Sequence, residues 1–148
     1  MRLKILTKHF SELNTKQLYE LLQLRSEVFV VEQDCVYQDI DGKDEKALHV
    51  LGYKDQKLVA YTRIFKPGDY FEESSIGRVV VSENERKHKY GYDIMKASID
   101  AVKAKYNKEI IVISAQTYLK TFYNNLDFFE VGEEYLEDGI PHIKMKKD

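Results

Sequence analysis

The stretch Val79-Val80-Val81-Ser82-Glu83-Asn84-Glu85-Arg86-Lys87-His88-Lys89-Tyr90-Gly91-Tyr92 decides how this chain is read. Three consecutive β-branched residues end a run that begins near Ser75. An unbroken run of this kind predicts a strand buried on both faces. A basic turn comes next, and after it a segment from about Gly91 to Tyr106 with Met95, Ser98, Ile99 and Val102 at helical spacing. Strand, basic turn and helix together make an anion site. The first amides of a helix have no intrahelical acceptor, and the helix dipole puts partial positive charge there. Arg86, Lys87 and Lys89 add full charges, and Gly91 allows close backbone approach. A diphosphate matches that combination.

Outward from this stretch the chain alternates short strands and helices. Leu3, Ile5 and Thr7 alternate with polar residues as in a half-buried strand. Thr15 is placed to cap a helix carrying Leu18, Leu21, Leu22 and Val28 on one side. Residues 34–45 are acidic and loop-like. His49–Tyr53 and Leu58–Phe65 read as a hairpin, and Ser75–Val81 as a third strand. After the helix come a strand over Glu109–Ser114, a short helix over Leu119–Asn125 and a strand over Phe128–Tyr135. Asp138-Gly139 is a hairpin signal before a last strand, Ile140–Lys146. The order β-α-β-β-β-α-β-α-β-β predicts an α+β fold, a mixed six- to seven-stranded sheet flanked by helices.

The 148 residues fit a single domain spanning 1–148. A chain of this length buries about 70% of its unfolded surface without disulfides, and the lone Cys35 permits no intramolecular bridge. Low cysteine content and no apolar stretch of signal-peptide length predict a cytoplasmic protein. No run approaches the ~20 apolar residues of a membrane span. Lys and Arg number 23 against 25 Asp and Glu, without the basic excess of nucleic-acid binders. The expectation is therefore no nucleic-acid and no membrane partner.

Val79-x-Val81 followed by Arg86-x-x-Lys89-x-Gly91 resembles the core motif of the GNAT superfamily of N-acetyltransferases: a strand with spaced apolar residues, then Arg/Gln-x-x-Gly-x-Gly/Ala, then a helix. Lys89 stands at the motif's middle glycine. A second segment, Gln116 to Phe128, resembles the superfamily's Asn-x(6)-Tyr-x(3)-Gly-Phe pattern, with Gln116 for Asn and Asp127 for Gly. Leu21–Gln33, Tyr37–Asp41, Ile76–Val79 and Glu137–Ile143 look like segments of the ElaA-like subfamily. The resemblance spans nearly the whole chain. It implies the GNAT acyl-CoA N-acyltransferase fold and acetyl-CoA as cosubstrate. It also implies that Val79, Val80 and Val81 pair with the pantetheine arm and that amides from Lys87 through His88, Lys89, Tyr90 and Gly91 to Tyr92 hold the diphosphate. Arg86 and Gln116 complete the implied cofactor set, and Tyr123 falls on the tyrosine that protonates the leaving CoA thiolate.

The acceptor end is less defined. The implied partner is a small-molecule or peptide amine, with a homodimer compatible. Many members carry a glutamate base on the motif strand, but here that strand reads Ile76-Gly77-Arg78-Val79. Glu27, Glu32, His49 and His142 are the candidate bases, and proton loss directly to water is the alternative. Arg25, Arg63 and Arg78 are candidates for selecting an anionic acceptor, Arg78 foremost, which points to an amine bearing a carboxylate. No metal site is expected. Two other readings stand beside the acetyltransferase: a non-catalytic acyl-CoA-binding or sensing module, and an acyl-homoserine lactone synthase-like acyltransferase.

Overall fold

A computed structural model describes residues 3–107 and 110–148. Met1, Arg2 and Glu109, which belong to segments read from the sequence, lie outside the described residues. The strands are β1 (Lys4–His9), β2 (Leu48–Lys54), β3 (Lys57–Phe65), β4 (Ser74–Val81), β5 (Ile111–Gln116), β6 (Phe129–Glu130), β7 (Tyr135–Glu137) and β8 (Ile140–Lys147). The helices are α1 (Thr15–Arg25), α2 (Tyr90–Tyr106) and α3 (Lys120–Asn124). The strands form one eight-stranded sheet in the order β1-β2-β3-β4-β5-β8-β6, with β7 also pairing β8.

The sheet exceeds the expected six to seven strands because the segment Phe128–Tyr135 does not run straight. It breaks at Gly132, whose φ of 84° is left-handed, into β6 and β7. Asp138 and Gly139 both take positive φ, as a two-residue hairpin requires, and join β7 to β8. The first helix begins as expected at Thr15, but Asn14 is its cap. The Asn14 side chain accepts from the Gln17 amide at 2.7 Å, and the Gln17 side chain accepts from the Asn14 amide at 3.0 Å. At Ser26 this helix widens into a π-helix, Ser26–Glu32, which carries Phe29 and Glu32 to the sheet's open centre.

Two cores pack the two faces of the sheet. Ile94, Met95 and Val102 of α2 bury against Val50, Ile64, Ile113 and Met145 on one side. Leu21, Leu24 and Val28 bury against Leu51, Tyr61 and Val80 on the other. Side chains alternate along a strand. Val80 therefore joins the α1 face while Val79 and Val81 point to the α2 face, where they are only half-buried. The expectation of a strand buried throughout on both faces fails at these two residues, and the reason is an opening beside them.

Every strand pairing is antiparallel except β4 with β5. Among the described residues that parallel joint holds at two residue pairs, Ser74 with Ile111 and Ser75 with Val112. Beyond them the strands splay, and the β5-facing edge of β4 from Gly77 to Val81 has no strand partner. On its other edge β4 bulges against β3 between Gly77 and Val80, with Arg78 left-handed at φ 50°.

Candidate active site

The splay opens a cavity of about 500 Å³ that passes through the sheet. Its wall takes Tyr123 and Phe122 from the α2 face, Val79 to Val81 from β4, and Ser114 and Gln116 from β5. Because Ile113 and Ala115 face the α2 core, Ser114 and Gln116 face α1. The cavity therefore joins the two faces through the gap between β4 and β5.

The turn after β4 is built as an anion site, with changes from expectation. Glu83–His88 forms a tight 3₁₀ turn, and Lys89 then reverses the chain in the left-handed conformation, φ 60°. That conformation explains the motif's glycine at this position, since only glycine adopts it without steric cost. Asp127, at the second motif's glycine, is likewise left-handed at φ 69°. The Lys89 and Tyr92 amides donate to the Arg86 and Lys89 carbonyls, so within the expected Lys87–Tyr92 set these two are spent in the turn. Gly91, in the first turn of α2, lies where a backbone N–H has no intrahelical acceptor. Arg86, Lys89, Gly91 and Tyr92 line the cavity, whereas Lys87, His88 and Tyr90 lie outside its wall. Gly91 serves packing: a Cβ there would meet the Phe122 ring at 3.2 Å.

Arg86 is not a free cation. Its guanidinium makes a two-pronged pair with Glu32 at 2.5 and 2.7 Å, and its Nε donates to the Val81 carbonyl at 3.2 Å. It thus pins the end of the π-helix to the end of β4, and it removes Glu32 from the list of free bases. Gln116 accepts from the Gln33 side chain at 3.3 Å, a second tie across the gap. Tyr123 is 5% exposed, and burial pushes its phenol above the ordinary tyrosine range. At neutral pH it keeps its proton.

The acceptor candidates separate cleanly. Glu27 is exposed and outside the cavity wall. His49 is fully buried away from it, with Nδ1 at 2.6 Å from the Tyr61 hydroxyl and Nε2 at 2.9 Å from the Asp44 carbonyl. Burial holds its ring below the usual histidine range. Arg25, Arg63 and Arg78 are absorbed by the acidic loop. Arg25 pairs with Asp39 and Asp44, Arg63 with Asp41 and Asp44, and Arg78 with Asp39 at 2.7 Å and Asp41 at 3.4 Å. Three guanidiniums meet three carboxylates. Arg78 reaches the cavity, but its charge is already matched, which undercuts the expectation that it selects an acceptor carboxylate. No sequence signal pairs these residues, because 14 to 39 positions separate the partners.

His142 does line the cavity, in a group that sequence reading only half found. Its Nδ1 donates to the Ile140 carbonyl at 2.7 Å, and its ring stacks on Tyr135. Ser114 hydrogen-bonds Tyr135 and Glu137, and Glu137 stands 3.6 Å from His142 Nε2. Glu137 was missed as a site residue. The signal was its alternation with Tyr135 before the Asp138-Gly139 turn, which places both on the face of His142.

An open sheet with one parallel joint, splayed over a helix N-terminus, defines a class of acyl-CoA-handling proteins, and the comparisons agree. The sequence matches the family "Acetyltransferase (GNAT) domain" over residues 10–148, and the chain belongs to that family. Within it the chain is ElaA-like. It is 47% identical to Protein ElaA of Escherichia coli over 142 residues, 95% of this chain and 93% of that protein. The crystal structure of E. coli ElaA superposes with a TM-score of 0.92 at 44% identity, covering 99% of each chain. An acyl-CoA N-acyltransferase from Pseudomonas aeruginosa superposes at 0.91 with 39% identity, covering 98% of this chain and 99% of that one. The acyl-homoserine lactone synthase LasI shares the fold, at 14% identity and a TM-score of 0.80 over 97% of this chain and 88% of its own. Among the described residues no helix is long and apolar enough to cross a membrane, and no group of side chains is arranged for a metal.

Proposed function

We propose that this protein transfers an acetyl group from acetyl-CoA to the amine of a small molecule or peptide. The supporting observation is the cavity through the sheet, which brings a protonated buried tyrosine, an unpaired strand edge and a helix N-terminus to one continuous wall. The free edge of β4 at Val79 to Val81 suits the amide groups of a pantetheine arm. The Gly91 amide at the start of α2, with Lys89, suits the diphosphate. An N–H of the splayed strand is a donor for the carbonyl oxygen as it gains charge.

The amine attacks the thioester carbon, the C–S bond breaks, and the Tyr123 hydroxyl gives its proton to the departing sulfur. The proton lost from nitrogen as the adduct collapses restores the phenol. Among the four expected bases, His142 is the one placed to act at the cavity. With Nδ1–H donating to a carbonyl, the neutral ring presents a lone pair at Nε2.

Replacing Tyr123 by Phe is expected to lower kcat by about 10²–10⁴-fold while CoA affinity stays close to wild type. Because burial raises the phenol, the wild-type activity should hold past pH ~10, where an ordinary tyrosine ionises. Thiol release with an amine panel checks both. Wild-type affinity for CoA without amine-dependent release would favour the non-catalytic acyl-CoA module instead.

A further inference from the structure

The acceptor side of the cavity has an unusual charge arrangement. Of the cations in its wall, Arg63 and Arg78 are matched by Asp41, Asp44 and Asp39, and Arg86 is matched by Glu32. Lys89 belongs to the anion site at the start of α2. The acids Glu137 and Asp138 also line the wall, and neither contacts an arginine or lysine within ion-pair distance among the described residues. The acceptor side of the wall therefore presents two carboxylates without an arginine or lysine partner among the described residues.

A second observation points at what fills it. His142 is 6% exposed and lines the cavity. Its Nδ1 must carry the proton, because the Ile140 carbonyl can only accept. In the neutral ring Nε2 is then a bare lone pair, and it faces the Glu137 carboxylate at 3.6 Å. With the ring neutral, two acceptors oppose each other beyond hydrogen-bonding distance. A group with several N–H donors and a positive charge satisfies both. Phe65, Tyr70 and Phe71 line the same cavity and offer apolar and π surface to an alkyl stem.

We propose that the acceptor is a cationic alkylamine, received as its ammonium between the Glu137 carboxylate and His142 Nε2, and that the site rejects amines carrying a carboxylate. This rests on the acetyltransferase reading. Glu137 accepts one ammonium N–H, and Nε2 takes a proton to leave the neutral amine. The amine nitrogen bonds to the thioester carbon as the C–S bond breaks. The proton on His142 passes to solvent, so one proton is released per acetyl group transferred.

The test compares 1,5-diaminopentane with 5-aminopentanoate, which share a stem and a reactive ammonium and differ in the charge at the far end. Acetyl-CoA-dependent thiol release is measured with wild-type protein and with Glu137→Gln, a nearly isosteric change at a partly exposed position. The expected kcat/KM for the diamine exceeds that for the amino acid by about tenfold or more, the size of one like-charge contact in a partly screened site. Glu137→Gln raises KM for the diamine by about tenfold, because it removes the carboxylate that receives the ammonium. Equal use of the two amines, preference for 5-aminopentanoate, or an unchanged KM for the diamine in the variant overturns the inference and leaves the acetyltransferase reading standing. Thiol release at the amine-free rate with both compounds and with a wider amine panel overturns the reading and the inference together.

Discussion

Lys89 shows how one residue carries two opposed requirements. The turn needs a left-handed residue there, and the proposed diphosphate site would use a cation there. A non-glycine residue in that conformation costs about 1–2 kcal/mol. Lys89→Gly is thus expected to stabilise the fold by up to about 1 kcal/mol, seen as a raised Tm. It is also expected to weaken CoA binding and flatten its dependence on salt. Titrations at two ionic strengths, beside a melting curve, check both signs. Asp127 repeats the backbone requirement without the positive charge: its short polar side chain is among those that tolerate the left-handed region best. At both glycine replacements the backbone keeps the left-handed conformation a glycine would take.

At the scale of elements, the acidic loop between the π-helix and β2 is a strap held by charge. Asp39, Asp41 and Asp44 reach α1, β3 and the β4 bulge through Arg25, Arg63 and Arg78. Burial works against the Asp41 and Asp44 charges, but the hydrogen bonds from Arg63 and Arg25 outweigh it and hold both carboxyls below the ordinary range. A carboxyl lowered in the folded state stabilises the fold above its unfolded pKa, and that contribution fades as pH falls through the folded value. Stability is therefore expected to drop once pH falls below about 4, where unfolded aspartates begin to protonate. Asp44→Asn leaves two buried arginines short of a partner and should cost about 3–5 kcal/mol at neutral pH. Its stability should fall less on acidification than the wild type's. Urea unfolding at pH 7 and at about pH 3, below the ordinary aspartate value, reads both. A variant as stable as wild type at pH 7 would mean that the strap contributes nothing.

At the scale of the molecule, periodicity located the strand–turn–helix, the hairpin from β2 to β3 and the last strand to within a residue or two, because each is set by local chemistry, but it missed the break at Gly132 that splits Phe128–Tyr135 into β6 and β7. The strand, basic turn and helix start of the candidate site were legible for the same reason: they are consecutive in the chain. The acceptor side was not. Arg78 looked available because its partners lie 37 and 39 positions away, and Glu137 looked like a hairpin acid because Ser114 and His142 reach it from other strands. Long-range pairing also decided the fate of His49, which its spacing could not show to be walled in by Tyr61 and Asp44.

The joint between β4 and β5 has a further consequence. Among the described residues, two residue pairs make up the ladder between an antiparallel block running β1 to β4 and another built on β5 and β8. A pantetheine arm lying along the free edge of β4 would supply the missing rungs, acting as a guest strand in the host's own sheet. Binding and folding are then one linked equilibrium. Ligand at about a hundred times its Kd adds about 2.7 kcal/mol to the folded state. The expected result is a Tm that climbs steadily with acetyl-CoA concentration, read by calorimetry, while adenosine 3′,5′-bisphosphate, which lacks the arm, gives a smaller rise at equal concentration.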